Sequence, residues 1–102
     1  MKKGILLHEA DDDVGVAAMD LTAGEEIQAV TLDGEPVTPI TMLDDVPLGH
    51  KVAMRDMPEK KHILEYGREI GYASTAITKG AHVHTHNIKS LRWAGDNQIV
   101  ER

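Results

Sequence analysis

Three histidines, His82, His84 and His86, occupy every second position of the stretch GAHVHTHNIK at residues 80–89. Imidazole binds metals and titrates near neutral pH, so this cluster could hold an ion or transfer protons. In an extended strand the rings would share one face, with neighbours about 6.6 Å apart and the outer pair about 13 Å apart. One pair can therefore converge on an ion, but all three cannot unless the strand bends sharply. A solvated polar strand face explains the pattern equally well.

Two histidines leave a metal site incomplete, because a catalytic ion needs at least one further protein ligand and an open position. His8, His50 and the acidic run 11–13 could supply it, unless a second chain does. His50 follows a glycine and precedes Lys51, a combination of donors suited to an anionic oxygen ligand. The alternatives are that His8 ends a strand, that the acidic run caps amides in a turn, and that His50 is a surface residue. His62, within the charged stretch PEKKHI, is predicted to be a solvated surface residue.

The composition excludes several functions. A net charge of −6, with one Trp, two Tyr and no Phe, argues against binding a phosphate backbone or stacking bases. The chain has no cysteine, which excludes disulfides and thiolate chemistry. The first apolar run, residues 5–7, is too short for a signal peptide or a membrane span, so a cytoplasmic protein is expected. A chain of 102 residues is expected to form a single domain.

Short apolar runs separated by Gly, Pro and Asp predict a small, mostly-β domain with little helix. Asp33-Gly34 predicts one hairpin turn, residues 67–69 a second, and at most one helical turn is expected near 56–61. The predicted strands lie near 3–8, 14–20, 26–32, 36–41, 50–55, 62–66, 70–76 and 82–88.

Three segments share one pattern: an alanine, then an apolar residue, a bend of polar residues, and the start of an apolar strand. They are AMDLTAGEEI (18–27), AMRDMPEKKHI (53–63) and STAITKGAHV (74–83). Two explanations remain open. Turns between strands look alike, or the strands fold back at several similar corners.

Three longer stretches resemble, in order and spacing, the N-terminal domain of the altronate dehydratase family. They are LHEADDDVGVAAMDLTAGEEI, DDVPLGHKVAMRDM and ILEYGREIGYASTAITKGAHVHTHN. The most specific pieces are residues 49–51, Tyr66-Gly67 with Ile70-Gly71, and residues 84–87. That domain belongs to the SAF group, so the resemblance implies a single β-clip domain over 1–102, matched over about 5–93 and followed by a tail at 94–102.

The resemblance also implies lyase chemistry on a hydroxy acid, either dehydration of altronate or a related sugar acid or loss of sulfite from sulfolactate. The chain ends at Arg102, shortly after SLRW. This is similar to the two-subunit arrangement of (2R)-sulfolactate sulfo-lyase, whose large subunit would be the partner here. A non-catalytic module that binds sugar acids is the alternative. No membrane partner is expected, and a homo-oligomer is possible.

For the site, the resemblance implies that His84 and His86 act as metal ligands or as acid–base groups. His82 is not expected in the site, because that position varies in the family. The divalent ion is left open among Fe, Mn, Mg and Zn. Two convergent histidines predict only weak metal binding by the isolated chain. The expected substrate contacts are His50, Lys51, His8, Asp13 and Asn87.

Two residues depart from the family's usual pattern. Asp13 stands where the family usually has asparagine, so a side chain that both donates and accepts becomes one that only accepts. Glu65 stands where lysine is common, so an anion replaces a cation. If either position contacts an anionic substrate, the substrate of this chain differs from the usual one.

Overall fold

The computed structural model describes residues 1–90, and the predicted tail at 94–102 lies outside them. The described residues form β-strands joined by turns, without a helix, which confirms the mostly-β prediction. None of them builds a helix with the length and apolar character to cross a membrane. The strands are β1 (Ile5–Leu7), β2 (Val14–Ala17), β3 (Glu26–Thr31), β4 (Pro36–Thr41), β5 (Lys51–Ala53), β6 (His62–Glu65), β7 (Arg68–Ala73), β8 (His82–Val83) and β9 (Ile88–Ser90).

The strands form two sheets. One has the order β4-β3-β1-β2-β5-β8, and the other has the order β6-β7-β9. Strands β1 and β3 run parallel, and the other pairs are antiparallel. The predicted hairpin at Asp33-Gly34 joins β3 to β4, and Gly34 has the positive φ of 88° that such a turn requires. Strand β8 therefore lies at one edge of the larger sheet.

Two apolar cores hold the sheets together, and both are built from aliphatic side chains and methionine, as a chain without Phe requires. The larger core contains Ile5, Leu7, Ala17, Leu21, Ile27, Ala29, Ile40, Met42, Val46, Val52 and Met54. The smaller contains Val14, Ala53, Met57, Ile63, Ala73, Ile77 and Val83. Adjacent residues of β5 enter different cores, since Val52 belongs to the larger core and Ala53 to the smaller one. This strand links the two halves of the molecule.

The repeated sequence pattern corresponds to corners at which the chain leaves one strand, bends and starts the next. The three segments predicted at 18–27, 53–63 and 74–83 contain corners at 18–25, 54–61 and 74–81, and a fourth corner lies at 42–50. The corners pair through bridges from Leu21 to Val46 and from Met57 to Ile77. The hypothesis of several similar corners is therefore confirmed.

Aspartates fix these corners by accepting backbone hydrogen bonds from the corner opposite. Asp20 accepts from Leu48 at 2.9 Å, and Asp45 accepts from Ala23 at 2.9 Å. In the second pair Asp56 accepts from Lys79 at 2.8 Å. The aspartates in the bends therefore stabilise the corners, since they accept hydrogen bonds from amides that have no partner in a strand.

Two local predictions were wrong, the position of one hairpin turn and the extent of one strand. The β6–β7 hairpin turns at Tyr66-Gly67, both with positive φ, rather than at 67–69. Residues 56–61 form a corner and not a helical turn. The predicted strand 82–88 is interrupted, because the chain turns at 85–87 between β8 and β9. This last difference changes the geometry of the histidines.

Candidate functional site

Strand pairing brings together histidines that are far apart in the sequence. Lys51 pairs with Val83 and Val52 with His82. Continuing this antiparallel register by one residue places His50 opposite His84. Because alternate residues share a face, His50, His82 and His84 lie on the same side of these two strands. We call these three residues the histidine cluster.

The rings of the histidine cluster are close together and nearly parallel. Nδ1 of His50 lies 2.9 Å from Nε2 of His82. The ring centroids of His50 and His84 are 4.5 Å apart, with an angle of 21° between the planes. Each residue offers a nitrogen within 4.8 Å of the other two. Ligand nitrogens around a tetrahedral ion at 2.0–2.1 Å stand roughly 3.3 Å apart, so the three nitrogens lie close enough to be candidate ligands once the stacked rings turn towards a common point.

A tight turn after His84 depends on Asn87, whose side chain is buried. Its Oδ1 accepts a hydrogen bond from the His84 amide at 2.9 Å, and its Nδ2 donates to the His82 carbonyl at 2.8 Å. The His84 carbonyl accepts from the amides of Asn87 and Ile88. This turn folds His86 back, so that its ring centroid lies 5.3 Å from that of His82.

Burial lowers the pKa of His82 below its usual value. The neighbouring His50, His86 and His84 lower that pKa further, and Asp44 opposes the shift. Asp44 also accepts a hydrogen bond from the His82 amide at 2.9 Å, which fixes the backbone there. Metal ligation requires neutral imidazole. The surroundings of His82 therefore favour the form that can bind an ion.

A cavity of about 370 Å³ opens beside the histidine cluster and shares His84 with it. Its floor is apolar, and a charged pair lies on one wall, where Lys51 Nζ is 3.7 Å from Glu65 Oε1. Burial raises the pKa of the Glu65 carboxyl group, with Asp12 acting in the same direction and Lys51 opposing it. The cavity is lined by Lys51, Glu65, Ile70, Val83, His84, Thr85 and Ile88.

His8 lies in a different cavity, of about 290 Å³, where Glu65 also forms part of the wall. The His8 side chain is exposed and meets the ring of Tyr66 edge-on, with centroids 4.5 Å apart. Leu6, Val14, Val16 and Leu32 complete this second cavity. The structure thus brings His8 towards Glu65 and not into the histidine cluster.

Asp13 is buried and has partners within the chain. Its Oδ2 accepts hydrogen bonds from the Leu64 amide at 2.8 Å and from Lys61 Nζ at 2.9 Å. Arg55 Nε lies 3.6 Å from its other oxygen. Such a network ties β2 to β6 and leaves little of the carboxylate for a ligand. The exposed His62 faces Glu69 at 3.3 Å, in agreement with its prediction as a surface residue.

Of the predicted site residues, His50, Lys51, His84, His86 and Asn87 lie together, whereas His8 and Asp13 lie elsewhere. Sequence reasoning left out His82, which occupies the centre of the group, and assumed that residues 82–88 were extended. The signal that could have identified His82 was the cross-strand register of HKVA against AHVH. That register depends on which strands pair, and the sequence alone did not specify it.

Comparison with known proteins identifies, over most of the chain, the same family that the sequence resemblance indicated. Residues 2–91 match the profile of the altronate/galactarate dehydratase SAF domain. The (2R)-sulfolactate sulfo-lyase subunit alpha of Chromohalobacter salexigens is 35% identical over 94 residues, which cover 91% of this chain and all of that subunit. Altronate dehydratase of Bacillus subtilis is 37% identical over 90 residues, 88% of this chain but only 17% of that enzyme.

A shorter match, 43% identical over 42 residues, relates the chain to galactarate dehydratase (L-threo-forming) of Escherichia coli. These residues make up 41% of this chain and 8% of that enzyme. The relatives are thus lyases in which the matched segment is either a whole subunit or a small part of a long chain. The β-rich structure agrees with the profile match, and the chain belongs to the family of altronate/galactarate dehydratase SAF domains.

Proposed function

We propose that this chain is the small subunit of a two-subunit lyase that acts on a hydroxy acid, and that it contributes part of the active-site wall. The observation that carries the proposal is the histidine cluster beside a cavity with Lys51 on its wall. A relative called subunit alpha, matched over its whole length, supports the two-subunit arrangement.

A large partner is proposed because an active site must enclose its substrate and exclude bulk water. His84, Thr85 and His86 are exposed. Within residues 1–90, this side of the site is therefore open to solvent. A second subunit docked over the histidine cluster would close it. This arrangement would make the isolated chain inactive.

His50, His82 and His84 are the residues that would hold a divalent ion. Three imidazoles suit Zn²⁺ or Fe²⁺ better than Mg²⁺, which prefers oxygen ligands. A bound ion would polarise the substrate and offset the negative charge that develops during elimination. With three convergent ligands instead of two, we expect the chain to bind one ion more tightly than the sequence alone predicts.

The remaining steps would fall to residues beside the cluster. Lys51, with one-third of its side chain exposed, would bind a carboxylate or sulfonate of the substrate. His86, exposed and next to His82, would accept the proton from the carbon beside the carboxylate. The electrons of that C–H bond would form the double bond as the leaving group departs with its own pair. Asn87 would act indirectly, by holding the turn.

The test is an assay of elimination from altronate, galactarate and sulfolactate by the chain alone and with the large lyase subunit encoded in the same genome. We expect no turnover by either protein alone and turnover of one acid by the mixture. Tight association without turnover of any acid would contradict the proposal and favour a non-catalytic sugar-acid-binding module.

A further inference from the structure

Glu65 is a buried carboxylate that faces the cavity beside His84 with few partners. Only 7% of its side chain is exposed, although it lies at the end of β6. Within residues 1–90 it accepts no hydrogen bond, and Lys51 is 3.7 Å away, beyond hydrogen-bonding distance. Apart from this ion pair, the hydrogen-bonding capacity of the buried carboxylate is unused, so a ligand group that donates to Glu65 would bind favourably.

The cavity has the size and polarity of a small-ligand site. Its volume of about 370 Å³ falls near the lower end of the range for such sites, about 300–1,000 Å³. Ile70, Val83 and Ile88 form an apolar surface, while Lys51 and Glu65 contribute opposite charges. The pair carries no net charge, so the cavity is not a general anion trap. It offers one place for an anion and, beside it, one for a hydrogen-bond donor.

We propose that Glu65 determines specificity by accepting a hydrogen bond from a ligand hydroxyl and repelling a second anionic group. Lys51 has three donors and is partly exposed, so it can bind a ligand carboxylate while remaining near Glu65. The cavity then selects a polyhydroxy acid with one negative charge over a hydroxy acid that also carries a sulfonate. This inference rests on the proposed function for the placement of substrate in this cavity.

The negative charge of Glu65 makes the preference for a ligand hydroxyl over a ligand sulfonate large enough to measure. A sulfonate placed near Glu65 would bring two negative charges to within a few ångströms, out of bulk water. A weak effective interaction at this separation already corresponds to on the order of tenfold in affinity. A hydroxyl in the same place gains a charge-assisted hydrogen bond instead.

The experiment titrates the full chain with each acid and monitors binding by the NMR chemical shifts of the backbone amides. The pH is mildly alkaline and the ionic strength is constant. The probes are altronate, with one carboxylate, and (2R)-sulfolactate, with a carboxylate and a sulfonate. We expect shifts at Lys51 and Thr85, and a dissociation constant for sulfolactate at least tenfold above that for altronate. Lys51→Gln should weaken the binding of both acids.

Glu65→Gln keeps an acceptor oxygen but removes the charge. This variant should bind sulfolactate about tenfold more tightly than the wild type and bring the two affinities to within about threefold. Glu69→Gln, at an exposed position on β7, is the matched control and should leave the ratio unchanged. Both variants must first give the dispersed spectrum of the folded chain.

Three results would overturn the inference: a wild-type preference for sulfolactate, an unchanged ratio in Glu65→Gln, or no saturable shift with either acid. Because the measurement is of binding, it is separate from the lyase assay. Selective binding without turnover in the presence of a large subunit would refute the lyase function alone. Turnover with an unchanged ratio in Glu65→Gln would refute the role of Glu65 alone.

Discussion

At the residue scale, the buried Asp12 is the side chain that fixes the β6–β7 hairpin. Its carboxylate accepts hydrogen bonds from the amides of Tyr66 at 2.9 Å, Gly67 at 3.1 Å and Glu9 at 3.2 Å. Tyr66 has a φ of 60°, which is unfavourable for a residue with a side chain. The two bonds to the turn therefore compensate for local backbone strain.

We expect Asp12→Ala to lower the free energy of unfolding by about 3 kcal/mol, because three backbone amides would lose charge-assisted hydrogen bonds to a buried carboxylate. Urea denaturation followed by circular dichroism measures this change. Asp11→Ala is the matched control: Asp11 is exposed, and its removal should cost less than about 0.5 kcal/mol. Equal effects of the two changes would contradict the assigned role of Asp12.

Glu65 gives a second residue-scale prediction, on the dependence of stability on pH. Burial raises its pKa, so the folded chain holds this proton more tightly than the unfolded chain, whose value is near 4.5. The tighter binding of this proton stabilises the folded chain fully when the pH is below that value. This stabilisation is lost as pH rises through the folded-state pKa. Glu65→Gln removes this loss.

The stability of Glu65→Gln relative to the wild type should therefore increase as pH rises from about 4 to 7. Urea denaturation at several pH values measures the difference. Glu69→Gln, at the exposed position on β7, should give a nearly constant difference over the same range. A constant difference for Glu65→Gln as well would show that its carboxyl group titrates normally.

The sequence predicted residue types at the site better than it predicted their partners. His50, His84 and His86 could be chosen because imidazole chemistry is evident from residue type. The choice between a ligand and a cap at Asp12 and Asp13 could not be made, since their partners on β6 and in its hairpin are about fifty positions away. His82 was left out because that position varies in the family, and the pairing of β8 with β5 that places it in the cluster was not predicted.

At the element scale, the corners differ in how closely they pack. Gly24 and Gly80 occupy the same place in two corners and have φ values of 93° and 90°. A Cβ on Gly24 would meet nothing within 4 Å, whereas one on Gly80 would lie 2.2 Å from the carbonyl oxygen of Thr41. Gly80 therefore permits a close backbone contact between β4 and the corner that precedes β8.

Gly24→Ala should lower the free energy of unfolding by about 1–2 kcal/mol, the cost of a left-handed conformation for a residue with a Cβ. Gly80→Ala should cost about 1–3 kcal/mol more, because the backbone must also shift to relieve the overlap. Thermal and urea denaturation compare the two variants. A smaller effect at Gly80 than at Gly24 would contradict the close contact.

The turn after β8 gives a prediction that concerns metal binding. Asn87→Ala removes both hydrogen bonds that fix His82 and His84, so it should lower the affinity for Zn²⁺ by about 10- to 100-fold, as for other supports of metal ligands. Calorimetry with Zn²⁺ measures this change. Thr22→Ala, at an exposed position in the corner at 18–25, is the control, and we expect it to leave the affinity unchanged. Unaltered affinity in Asn87→Ala would mean that the turn does not position the cluster.

Most elements were predictable because hydrophobic patterning and turn residues are local signals. Seven of the eight predicted strands correspond to β1 to β7, within a few residues. The eighth failed because the side chain of Asn87 bends the chain at 85–87, and alternating polarity does not reveal such a bond. Strand order and register were not predicted, since they depend on contacts between distant segments.

At the scale of the whole molecule, the proposed function predicts how histidine variants behave in the reconstituted enzyme. His86→Ala should lower turnover by roughly 10² or more, the usual scale for loss of an acid–base group. His84→Ala should lower turnover by a similar factor, because the proposed ion would lose one of its three ligands. Association with the large subunit should persist, because these side chains would face the substrate. Turnover assays and size-exclusion chromatography measure the two properties.

His62→Ala is the control for this experiment, since His62 is exposed and faces Glu69 on the smaller sheet. It should change turnover little. Full activity in a variant lacking both His84 and His86, with association intact, would place the chemistry entirely on the large subunit. The small chain would then have a structural role in the complex.

The position of β8 also determines how the cluster behaves over time. Within residues 1–90, this strand has two residues and lies at the edge of the six-stranded sheet, where it pairs with β5. Short edge strands are the parts of a sheet that open most readily. Each opening would separate His82 and His84 from His50, while the rest of the sheet stays folded. An ion held across β5 and β8 would therefore cross-link the two strands reversibly. Its residence time would be set by how often β8 separates from β5.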